Sequence, residues 1–142
     1  MQRIVLDASI VLKWYLDDEE FGQKAINLLT QYISNEIDIY APSLLGYELI
    51  NGLIIAKKRG RIEENIIHEA FDGFLKLNLK LKDNSTYFPK IIHYCKTYNC
   101  SAYDASYLSL AVEEGLYLIT ADKPLYNTVK KDLKFIKWIG EI

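Results

Sequence analysis

Four acidic residues occupy positions that folding alone explains poorly. Asp7 ends the run Arg3-Ile-Val-Leu6, and Asp122 follows Leu118-Ile-Thr120-Ala. Glu48 lies in Tyr47-Glu48-Leu-Ile-Asn51, and Asp104 in Ser101-Ala-Tyr103-Asp104-Ala-Ser-Tyr107. A carboxylate brought near a core without a partner is neutralised or costs several kcal/mol. Two such charges about 4 Å apart repel by roughly 4 kcal/mol at an effective dielectric near 20. Convergence of these acids would therefore require a divalent cation. Oxygen-only ligands favour Mg²⁺ or Mn²⁺ over zinc.

Three of the acids also have ordinary explanations. Asp7 is placed to cap a helix after the first strand, and Asp122 to cap one that begins Lys123-Pro124. Ser101-x-x-Asp104 reads as the start of a capping box. Glu48 is harder to account for, because it and Asn51 are the only strongly polar residues between Leu44 and Ala56. Their i, i+3 spacing puts both on one helix face, and the apolar surroundings predict a largely buried helix.

The elements that must position these groups alternate. Strands are expected at Arg3–Leu6, Asp38–Tyr40, Leu79–Lys82, Tyr117–Thr120 and Phe135–Trp138. Helices are expected at 9–15, 19–34, 43–59 (capped by Ser43 and closed by Gly60), 62–77, 85–98, 101–114 and 124–131. This order predicts an α/β protein with a mainly parallel sheet covered on both faces. Asp7 and Asp122 then fall beyond the carboxyl ends of strands, where open parallel sheets bind ligands. At 142 residues the chain is expected to form one domain spanning 1–142.

Composition narrows the classes further. Half the residues are hydrophobic and a quarter charged, an ordinary globular balance. No apolar stretch is long and uncharged enough to span a bilayer, and no signal-peptide pattern follows Met1, so a cytoplasmic protein is expected. Cys95 and Cys100, with His93 nearby, fall short of a four-ligand zinc site. The net charge of −2 does not advertise nucleic-acid binding. Two basic blocks stand out nonetheless, Lys57-Lys58-Arg59 with Arg61, and Lys130, Lys131, Lys134 and Lys137. A basic rim beside an acidic metal centre suits a phosphodiester substrate.

Taken together, Asp7-Ala-Ser9 with Lys13-Trp14, Pro42-Ser-Leu-Leu-x-Tyr47-Glu48-x-x-Asn51, Tyr103-Asp104-Ala-x-Tyr107 and Leu118-Ile-Thr120-Ala-Asp122 resemble the PIN domain family, most of all VapC-type toxins. The resemblance runs over nearly the whole chain. It implies a three-layer α/β/α sandwich and a Mg²⁺- or Mn²⁺-dependent endoribonuclease leaving 5′-phosphate and 3′-hydroxyl ends. It also implies that Asp7, Glu48, Asp104 and Asp122 form the acidic metal site, with Ser9, Asn51 and Thr120 in supporting positions. A homodimer and a cognate antitoxin are further implications. Many family members carry another acid shortly after the fourth; here the stretch is Lys123-Pro-Leu-Tyr-Asn127, which has none, so the resemblance implies one metal rather than two. A haloacid-dehalogenase-type phosphatase needs an acid where Ser9 stands. A receiver domain needs an acidic pair that is missing. The remaining alternative is a catalytically silent PIN-like module that binds RNA or protein.

Overall fold

The computed structural model describes residues 1–142. Five strands, β1 (Gln2–Leu6), β2 (Ile37–Pro42), β3 (Lys80–Lys82), β4 (Tyr117–Thr120) and β5 (Ile136–Trp138), form one sheet in the order β3-β2-β1-β4-β5. Every neighbouring pair is parallel, with Leu6 beside Ile119 and Thr120 beside Trp138. Parallel strands buried on both faces read as continuous apolar runs. Val5, Leu6, Ile39 and Leu118 are accordingly sealed from solvent.

The helices are α1 (Ala8–Val11), α2 (Gly22–Ile33), α3 (Leu45–Lys58), α4 (Glu64–Leu77), α5 (Phe88–Tyr98), α6 (Ala102–Glu114) and α7 (Lys123–Val129). The chain moves outward in one direction from β1 through β2 to β3, then crosses back to β4 and β5. Right-handed crossovers therefore place α1 to α4 on one face and α5 to α7 on the other. This is the expected three-layer α/β/α sandwich. Helix α6 packs on β1, β2 and β4. Its residues from Ala105 to Ala111 are all buried, so it lacks a solvent stripe. Left-handed residues end α4, α5 and α6 at Asn78, Asn99 and Gly115, as helix C-termini favour.

Several expectations need correction. The second helix starts at Gly22, not Glu19: Phe21 before it is left-handed at φ 61°, and Asp18 and Glu19 bind Arg61 at 2.5 and 2.9 Å from the preceding loop. Of the apolar residues of α2, Ala25 and Leu28 are buried against the core, while Ile33 near its end is exposed. Ser43 does not cap α3. Leu44 holds the cap position, and the Ser43 backbone N–H donates to Lys82 instead, joining the end of β2 to β3.

Nor is α3 largely buried. Leu45, Leu49, Leu53 and Ala56 form its inward stripe, while Tyr47, Ile50, Ile54 and Ile55 face solvent. An apolar sequence here supplies two faces, one for the core and one left open. Trp14, by contrast, belongs to the core: its indole N–H donates to the Ala25 carbonyl at 2.9 Å. Cys95 and Cys100 are free and partly buried. Burial, followed by the neighbouring Cys95, pushes the Cys100 thiol up to about 11, which makes it a poor ligand or nucleophile at neutral pH.

Candidate active site

The acids gather where the sheet topology reverses. β1 is the strand from which the chain departs to β2 on one side and to which it returns with β4 on the other. The crevice outside the carboxyl ends of such strands is the usual ligand position in open α/β sheets. Asp7 follows β1 directly, and Asp122 lies two residues beyond β4. Glu48 stands in the first turn of α3, which follows β2. Asp104 stands in the first turn of α6, which crosses beneath these strands.

Asp7 is the centre of the polar network. It occupies the position before α1, yet its side chain makes no capping bond. Its carboxylate instead accepts from the hydroxyls of Ser9 and Thr120, both at 2.5 Å. Each hydroxyl in turn accepts a backbone N–H, Ser9 from Ala121 at 2.9 Å and Thr120 from Asp122 at 3.0 Å. These N–H bonds orient the hydroxyls so that both protons point to Asp7. The helix-capping explanation is therefore replaced by a dedicated cradle. The parallel register explains it, since Leu6 beside Ile119 brings Asp7 and Thr120 side by side.

Burial nevertheless dominates the charge of this group. Asp7 is only 7% exposed, and desolvation pushes its carboxyl up to about 6 against the two hydroxyl bonds. The charges of Asp104 and Asp122 push in the same upward direction. Asp104 is raised by burial and then by Asp122, with the Ser101 hydroxyl opposing. Glu48 is raised by burial, lowered by its bond from Tyr107 and raised again by Asp104. Carboxylates are the only formal charges acting on these three groups; no lysine or arginine offsets them. The charges of Asp104 and Asp122 thus reach Asp7, that of Asp122 reaches Asp104, and that of Asp104 reaches Glu48.

The remaining bonds distribute other roles. Asp122 caps α7 by accepting from Leu125 N–H at 3.0 Å, as the sequence suggested, and Ser101 caps α6 by accepting from Asp104 N–H at 3.0 Å. Glu48 accepts the Tyr107 hydroxyl at 2.6 Å. Tyr107 is a residue whose role sequence reasoning missed. It lies one turn beyond Asp104 on α6 and is 2% exposed, so its hydroxyl needed a buried acceptor. That spacing within Asp104-Ala-x-Tyr107 was the available signal. Glu48 then has a protein partner, while Asn51 is exposed and does not pair with it. Both line a groove of about 650 Å³ with Leu12, Leu44, Tyr47 and Tyr103.

As the side chains stand, no three acids lie at the spacing of ligands to one ion. The donor set still suits a hard cation. It is entirely oxygen, uncompensated by protein cations, and each carboxylate keeps lone pairs beyond its present bonds. Mg²⁺ retains several waters and is commonly held by one or two carboxylates, so it does not require three ligands from the chain.

A family model describing the PIN domain matches residues 4–131, and this chain belongs to the PIN domain family. Ribonuclease VapC3 from Pyrobaculum aerophilum is 25% identical over 127 residues, covering 87% of this chain and 92% of that protein. The crystal structure of PAE2754, also from Pyrobaculum aerophilum, shares the fold with a TM-score of 0.67 at 19% identity, covering 99% of this chain and 94% of that one. No helix is long and apolar enough to cross a membrane.

Proposed function

We propose that the protein is a Mg²⁺- or Mn²⁺-dependent endoribonuclease, with residues 1–142 acting as one nuclease unit. The observation that carries this reading is the group of carboxylates at the β1–β4 edge, where the charges of Asp104 and Asp122 push the buried Asp7 carboxyl up and that of Asp122 pushes Asp104 up. The likeness to ribonuclease VapC3 supports RNA as the substrate. Asp7 and Asp104 are the principal metal ligands in this reading, with Glu48 and Asp122 completing the site directly or through water. When bound, the cation would offset the carboxylate charges, lower the pKa of a coordinated water and stabilise charge on the phosphodiester.

The chain's own groups supply orientation. Ser9 and Thr120 hold both oxygens of Asp7 in place, and Tyr107 fixes the rotation of Glu48 through one oxygen, leaving the other toward the groove. Such bonds set the direction of ligand lone pairs. Asn51, on the groove wall beside Glu48, is placed to touch substrate rather than to orient a carboxylate.

The likeness to a VapC protein also supports a toxin role with a cognate antitoxin. The groove beside Glu48 and the exposed apolar face of α3 offer a surface for a partner's apolar segment. We include a homodimer in the proposal for the same reason.

The test uses purified protein and a structured RNA, with Mg²⁺, with Mn²⁺ and with chelator, beside the Asp104→Asn variant. Cleavage by the wild type only when metal is present, and its loss in the variant by at least about 100-fold, is expected for a removed metal ligand. Equal cleavage by both proteins would overturn the assignment. RNA binding without cleavage would favour the silent-module alternative.

A further inference from the structure

The two basic blocks turn out to be unequal. In the first, Lys57 pairs with Glu64 at 2.9 Å, and Arg61 is bound by Asp18 and Glu19. Much of that block's charge is answered within the molecule. Around α7, which carries Lys123 outside both blocks and ends beside Lys130 of the second, the arrangement differs. Lys123 forms no ion pair; its ammonium rests 3.3 Å from the centre of the Trp138 ring and 5.6 Å from that of Tyr126. Lys130 lies 5.3 Å from the Tyr126 ring and bonds only the neutral Asn127 amide.

The rings are themselves fixed. Tyr126 stacks on Trp138 with centroids 6.5 Å apart, and Phe21 meets Trp138 edge-on at 5.4 Å. The Tyr126 hydroxyl donates to Glu141 at 3.0 Å. An aromatic face holds a lysine in place without neutralising it, because the ring carries a quadrupole and no net charge. A carboxylate partner would hold the same lysine and cancel it. Lys123 directly follows Asp122 in the chain, and Trp138 pairs with Thr120 across the sheet. Lys123 and Lys130 are two helical turns apart, roughly 10 Å along the axis.

We propose that Lys123, seated on Trp138 and Tyr126 with Lys130 beyond it, forms a phosphate subsite that binds the RNA backbone on the β5 side of the acid cluster. The subsite deepens the nuclease reading and rests on it for the identity of the polymer. Its lysines answer the charge problem that the acids create for any polyanion. A strand approaching uncompensated carboxylates is repelled, and fixed positive charge beside them offsets that repulsion.

The test is fluorescence anisotropy of a labelled single-stranded RNA in the Asp104→Asn background, over a series of salt concentrations. Adding Lys123→Gln should weaken binding about tenfold at low salt, the loss expected for one charge-assisted contact. It should also reduce the slope of log affinity against log salt by roughly 0.7. Lys123→Arg should restore both, and Lys57→Gln should leave the slope unchanged because Glu64 already offsets that charge. Trp138→Leu should weaken binding with Lys123 intact, because the lysine loses its seat.

An unchanged slope in Lys123→Gln overturns the subsite. So does a loss of the same size for Lys57→Gln, which would mean diffuse attraction. Polyglutamate displacing the RNA as well as polyuridylate does, charge for charge, would make the patch a general anion surface and also overturn it. Cleavage by the wild type with Lys123 dispensable removes this inference alone. Binding with the predicted slope change but no metal-dependent cleavage removes the nuclease reading alone.

Discussion

Replacing Asp7 with Asn should stabilise the metal-free protein at alkaline pH and fail to do so in acid. The Asp7 carboxyl moves from an ordinary 3.8 to about 6 on folding, principally through burial. Between those values the folded state binds more protons than the unfolded state. Stability of the metal-free protein therefore falls as pH rises through this window. Above it, the ionised group costs about 3 kcal/mol relative to an uncharged side chain. An Asn amide avoids that cost and, like the protonated carboxyl, offers one carbonyl oxygen to the Ser9 and Thr120 hydroxyls. The net gain is about 3 kcal/mol at pH 8, or roughly 6–12 °C in melting temperature for a chain of this size. Below pH 4 the wild-type group is already neutral, and the two proteins should be nearly equal in stability. Thermal unfolding of both proteins in chelator, at pH 3.5 and pH 8, measures the difference directly. Equal differences at the two pH values, or a variant less stable at pH 8, would refute the claim that burial makes this charge costly. Adding Mg²⁺ at pH 8 should stabilise the wild type and reverse the ranking, since the cation binds the ionised carboxylate and not the amide.

Three further perturbations test the supporting structure. Tyr107→Phe removes the hydroxyl held by Glu48 and should cost about 1–2 kcal/mol at pH 8, less at pH 4 where Glu48 takes up a proton; urea midpoints at both pH values measure it. Gly140→Ala would drive its new methyl group into the rigid Trp138 ring. The expected cost is about 1–3 kcal/mol together with a shifted tryptophan emission, and an unaltered spectrum would contradict the close packing of that ring. Arg61→Ala should release the loop at Asp18 and Glu19, accelerating cleavage by a glutamate-specific protease there while leaving the melting temperature nearly unchanged.

The strands and the layer order were legible because parallel β-strands carry short β-branched runs and the crossover rule leaves few arrangements. The acids were legible as anomalies, but the sequence ranked them wrongly. Asp7 appeared to be a plausible cap and Glu48 the group without a partner. The structure gives Glu48 a tyrosine and denies Asp7 any capping role, because both facts depend on pairings across distant elements. The nearly unbroken apolar run of α3 read as a largely buried helix, because the sequence could not tell that the face opposite Leu45, Leu49 and Leu53 is left uncovered. The unequal fate of the basic blocks was likewise invisible, since it depends on whether a lysine meets an acid 7 residues later, as Lys57 does, or a ring on another strand, as Lys137 does at Tyr117.

The bond between Thr120 and Asp7 spans 113 positions of the chain. During synthesis, β1 emerges early but has no β4 to lie against, and the Asp7 cradle cannot close until the segment around Thr120 leaves the ribosome. At about 5–20 residues per second that interval is roughly 6–23 s. A growing chain therefore holds its acids apart while it is still tethered among ribosomal and messenger RNA. If the assembled site cleaves RNA, the order in which its parts appear delays that activity until translation of the fold is nearly finished.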